Sequence, residues 1–134
     1  MADEAVIRKR IATAQRRLQA ARLLFDQGFI NDALSKSYYA IFAAANALLA
    51  SEGLQSKKHS GVISLFGKHF VKTGLIDKEF SKILVKARDA RELSDYTDFF
   101  EAEEKETKDQ INKAERFIKM AVDFLQTRGL DLTP

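Results

Sequence analysis

The chain has no cysteine among its 134 residues. That excludes a disulfide framework and a thiolate metal centre, and it fits a reducing, cytoplasmic setting. Its single proline is the last residue, Pro134, so nothing breaks a helix from within. No apolar run reaches the roughly 18 to 20 residues a membrane-spanning helix needs, and the charged start is unlike a signal peptide. A soluble cytoplasmic protein without a membrane partner is therefore expected. Histidine is scarce: His59 and His69 are the two. With no carboxylate at ligand spacing, they predict neither a metal site nor a cofactor. Acids are missing from two long intervals. Between Glu4 and Asp26 lie only the cations Arg8, Lys9, Arg10, Arg16, Arg17 and Arg22, and between Glu52 and Asp77 only Lys57, Lys58, Lys68 and Lys72. The acids gather instead from Asp98 to Asp109, which gives a chain of net charge +3 opposite poles. A solvated helix face explains such runs readily, yet the asymmetry favours an anionic partner for the basic pole.

What is present reads as helix throughout. With 46% hydrophobic and 31% charged residues, the length suits one domain over residues 1–134. Ile7, Ile11, Ala14, Leu18, Ala21 and Phe25 recur at three and four, as do Leu34, Tyr38, Ile41, Ala45, Leu48 and Leu49. Val62, Ile63, Phe66 and Phe70 mark a short third helix, Phe80, Ile83, Leu84, Ala87 and Ala90 a fourth, and the stripe from Ile111 to Leu125 a fifth. Gly28, Gly53, Gly74 and Gly129 each follow a periodic segment, where a C-terminal cap is needed, and Ser56 and Asp77 suit the N-caps of helices three and four. The prediction is an all-α, up-and-down bundle of about five helices. Gly61 and Gly67 inside helix three suggest close helix contact there. Helix four carries a second apolar strip, Val85, Leu93, Tyr96 and Phe100. Two strips imply burial on both sides, and a two-fold homodimer is the expectation.

The candidate site lies on that same helix. At about 100° per residue, Arg88, Arg91 and Asp95 fall within roughly 60° of arc. Arginine near apolar surface is costly unless it meets an anion or a carboxylate. The strip is thus either a phosphate-handling site or an internal clamp in which Arg91 pairs with Asp95 four residues on. Both readings stay open. Tyr38 follows the core stripe of helix two, whereas Tyr39 points to another side, to pack or to line a groove beside Arg91. At the start of helix three, Lys57, Lys58 and the first amide groups would attract an anion. His59 beside them either closes the core edge through a hydrogen bond to Tyr38, Tyr39 or a carbonyl, or serves as an imidazole supplied from another helix.

Asn31 to Phe42, then Ala47-Leu48-Leu49, then Lys57-Lys58-His59-Ser60-Gly61, then Arg91 to Tyr96, in this order and spacing, resemble the HEPN domain family over nearly the whole chain. The resemblance implies a small helical bundle that dimerises about a two-fold axis and often works beside a minimal nucleotidyltransferase as a toxin and antitoxin pair. Many members are described as metal-independent ribonucleases whose signature is an arginine, a short polar spacer and a histidine. This sequence departs from that signature, since Tyr96 stands where the count from Arg91 would place the histidine and none follows Arg88 either. Tyrosine, with an ordinary pKa near 10, is a poor base at neutral pH. In some members a tyrosine close after the histidine accepts a nucleotidyl group, a role the register here suits poorly. The sequence thus favours a non-catalytic module that holds a nucleotide or RNA phosphate in a dimer cleft. An atypical ribonuclease using His59 or Tyr96, and a purely structural dimer, are the alternatives.

Overall fold

A computed structural model describes residues 3–96 and 100–132, and of Asp95 and Tyr96 the backbone alone. Five α-helices follow one another: α1 (Glu4–Asp26), α2 (Ile30–Ser51), α3 (His59–Phe66), α4 (Lys78–Tyr96) and α5 (Glu104–Thr127). The described residues contain no strand. The predicted all-α bundle is what the structure shows.

The centre of the bundle is α2, which packs against α1, α3, α4 and α5. Its alanines explain how. Ala40, Ala44, Ala45 and Ala47 are fully buried, and such small side chains let neighbouring helices approach it from several sides. The stripes of α1 and α5 meet it through Ile7, Ile11 and Ala14 and through Ala114, Phe117 and Ala121. A further layer is aromatic: Phe66 lies 5.6 Å from both Phe70 and Phe117, Phe70 5.6 Å from Phe124, and Phe80 5.9 Å from Phe117, centroid to centroid.

Helix ends follow local chemistry. Gly28 at φ 85° and Gly53 at φ 69° close α1 and α2 in the left-handed region, where a side chain is strained. Asp77 Oδ1 accepts the Glu79 amide at 2.9 Å, as expected of an N-cap. Ser56 is a correction. The residue at the N-cap position of α3 is Lys58, and Ser56 acts two residues earlier, where its Oγ accepts the Lys58 amide at 3.2 Å and donates to the Lys58 carbonyl at 3.1 Å. A Cβ on Gly61 would fall 2.0 Å from that same Oγ. The glycine therefore admits the Ser56 side chain, not a second helix, and seats the turn that carries Lys57, Lys58 and His59. Gly67 meets nothing close and opens a π-helical turn, Gly67–Val71, that extends α3.

The second strip of α4 is only partly covered in the single chain. Leu93 is 54% exposed and Val85 half-buried. Phe100 lies beyond the end of α4, and the Tyr96 side chain is outside the described residues. Asn31 ties down the link to α5, donating to the Phe100 carbonyl at 3.0 Å and accepting the Ala102 amide at 2.7 Å.

Candidate functional site

Three helices converge where α2 turns its two adjacent tyrosines toward α4 and the start of α3. Tyr38, 1% exposed, belongs to the core as its stripe predicts, and it hydrogen-bonds the His59 Nδ1 through its hydroxyl. The His59 ring also packs on Phe42, with centroids 4.8 Å apart. Of the sequence alternatives for His59, hydrogen bonding at the core edge is the arrangement observed. Tyr39 takes the less expected of its two roles. Its hydroxyl accepts a hydrogen bond from Arg91 Nη2, and the guanidinium carbon stands 5.0 Å from the Tyr39 ring centre and 5.7 Å from that of Tyr38. Such a seat fixes a cation in place, since an aromatic face attracts it electrostatically and the planar fork loses little freedom there.

Arg88 flanks this arrangement. It pairs with its neighbour Asp89 at 3.2 Å, while its buried Nε has no hydrogen-bond acceptor among the described residues. The Asp95 and Tyr96 side chains lie outside the described residues, so the proposed Arg91–Asp95 clamp and the Tyr96 role gain no geometry. Lys58 is exposed and stands apart from the tyrosine–arginine contacts except through its neighbour His59.

Electrostatics agree with the geometry. Burial, reinforced by Tyr39, pushes the Tyr38 hydroxyl up to about 12 despite the opposing pull of Arg91. It is protonated at neutral pH, and the direction of its hydrogen bond with His59 Nδ1 follows the tautomer of the imidazole. Burial, followed by the positive charge of Arg91, pulls His59 below its ordinary value of 6.5. Glu92 opposes both effects of Arg91, so one carboxylate of α4 faces the pair.

Sequence reasoning missed one member. Arg17 of α1 brings its guanidinium carbon to 5.6 Å from the Tyr39 ring centre. The acid-free interval that holds it was a signal, but nothing local to α1 pointed toward Tyr39.

Residues 7–125 match the family profile of the HEPN domain. The chain belongs to the HEPN domain family. Among its relatives, "Putative toxin MJ0605" of Methanocaldococcus jannaschii is 41% identical over 81% of this chain and 80% of that protein. A "UPF0332 protein" of Thermotoga maritima is 41% identical over 75% of this chain and 76% of its own length. A second Methanocaldococcus jannaschii protein, "Putative toxin MJ0142", is 30% identical over 92% of this chain and 84% of that protein. In this HEPN domain the histidine nearest Arg91 comes from α3 and not from the helix of Arg91 itself. Among the described residues no three histidine or acidic side chains gather to hold a metal, and no helix is long and apolar enough to cross a membrane.

Proposed function

We propose that this HEPN domain is a non-catalytic binding module that holds a nucleotide or RNA phosphate at Arg91 and Arg88, in a cleft completed by a second copy. The carrying observation is the seat of Arg91, a guanidinium stacked near two tyrosines and hydrogen-bonded to Tyr39. A fork held so loses little further entropy on meeting an anion, and Arg88 adds a second cation with an unused buried donor. The exposed Leu93 on α4 supports a dimer through that helix, which would bring two such arginine pairs together. Relatives that carry the word toxin in their names support a toxin and antitoxin setting, and the minimal nucleotidyltransferase partner is what the family resemblance implies.

A second reading, a metal-independent ribonuclease, is favoured by the Tyr38–His59–Arg91 grouping alone. Incubating the purified protein with structured RNA in chelator separates the two. The binding module leaves RNA intact yet binds it, and Arg91→Ala removes the binding. Cleavage that both Arg91→Ala and His59→Ala abolish would establish the ribonuclease instead.

A further inference from the structure

The two acid-free intervals of the sequence meet in space. Arg10 and Arg17 from the first and Lys57 from the second line one cleft of about 370 Å³, with Thr13, Asn46 and Gln55 among its polar walls and no carboxylate. Arg10 and Arg17 are half-buried, and no described carboxylate lies within salt-bridge distance of either. Arg10 satisfies one donor on the Asn46 carbonyl at 3.2 Å, which fixes its guanidinium and leaves its other donors for a guest. Three cations gathered without counter-charge repel one another, and an anion between them relieves that cost.

The cleft adjoins the Arg91 site. Arg17 and Arg91 approach the same Tyr39 ring at 5.6 Å and 5.0 Å, so their guanidiniums are separated by no more than the sum of those distances. Neighbouring phosphates of one strand span such a gap, whereas a nucleoside monophosphate offers only one. We infer that the cleft of Arg10, Arg17 and Lys57 is a second phosphate subsite, and that the ligand of this protein is a single-stranded nucleic acid whose backbone crosses Tyr39 from Arg91 to Arg17. The inference rests on the Arg91 reading given above. Because guanidiniums already cover Tyr39, recognition is of phosphates and not of stacked bases, and it is indifferent to sequence.

The test compares a labelled single-stranded oligoribonucleotide with AMP as probes, by fluorescence anisotropy and calorimetry. The double variant Arg10→Gln/Lys57→Gln weakens oligonucleotide binding about tenfold at low salt and flattens the slope of log K against log salt by about 1.4, two contacts' worth for a single strand. AMP binding stays unchanged, while Arg91→Ala weakens both probes. Lys57→Glu alone, at an exposed residue that makes none of the Tyr39 contacts, shows the same selectivity for the oligonucleotide. Unchanged oligonucleotide affinity in these variants, with Arg91→Ala still effective, overturns the second subsite and leaves the Arg91 reading intact. AMP binding that falls in step with oligonucleotide binding overturns it as well, since the two clusters are then one site. If the parent binds neither probe, the Arg91 reading fails and takes this inference with it.

Discussion

Arg116 stands 5.8 Å from the centre of the Phe80 ring and Arg128 4.7 Å from that of Phe124, and each guanidinium also holds a carboxylate, Glu79 and Glu52 respectively. Around Tyr39 the same covering of a ring by arginine recurs with a difference: Arg17 has no described carboxylate in reach, and Arg91 donates to the ring's own hydroxyl. The phenylalanine cluster is a finished structure, with rings packed on rings and cations satisfied by acids. The tyrosine cluster has the same packing but carries polar edges, and one of its cations, Arg17, lies beyond salt-bridge distance of any described carboxylate. Stacking alone therefore says little about function; the polar tyrosine edge to which Arg91 donates marks the site.

The contrast breaks most visibly in stability. Phe117→Ala removes a fully buried ring that touches Phe66 and Phe80, and it is expected to cost about 3–5 kcal/mol in urea unfolding. Gly61→Ala pushes a methyl group against Ser56, at a cost of about 1–3 kcal/mol. It also displaces the turn that holds His59, so loss of the Tyr38–His59 contact in NMR spectra should accompany the drop. Unchanged imidazole resonances would show that the turn is not what positions the ring. Tyr39→Phe deletes only a hydroxyl that accepts from Arg91 and is expected to lower stability by about 0.5–1.5 kcal/mol while weakening phosphate binding disproportionately.

The smallest effect is one of pH. Because His59 titrates lower in the folded chain than its ordinary 6.5, the unfolded chain takes up the proton first. Stability is then fully present above 6.5 and is lost as pH falls from there toward the folded value. The parent should weaken more than His59→Gln between pH 7 and 5, and parallel profiles would contradict the assignment. At the alkaline side Tyr38 acts oppositely. Its folded value of about 12 lies above the ordinary 10, so stability is lost as pH rises through that interval.

Much of this was legible in the sequence, for reasons particular to each element. Helix stripes and the glycines at φ 85° and 69° are local signals, set by neighbours three or four residues away, and they placed the five helices and their ends. Arg91, Tyr39 and His59 were also found, because a guanidinium on a core-forming helix and two adjacent tyrosines are unusual in composition. Their mutual contacts depend on how α2 meets α3 and α4, which no local pattern states. Arg17 and Arg10 were invisible as site residues for the same reason, since on α1 alone they read as a solvated basic face. Ser56 misled because a serine near a helix start suits an N-cap, whereas the space over Gly61 drew it into the preceding turn. The Leu93 strip remains open on the single chain, and Leu93→Asp should leave a folded monomer if a second copy covers it.

The most direct test of the account is the affinity of a short single-stranded RNA measured across a salt series for Arg91→Ala and Arg116→Ala side by side. The account predicts that Arg91→Ala weakens binding at least about tenfold and flattens the salt slope, while Arg116→Ala leaves both unchanged. Equal losses from the two substitutions would mean that overall positive charge, not the arginine seated on the tyrosines, holds the ligand, and would contradict it.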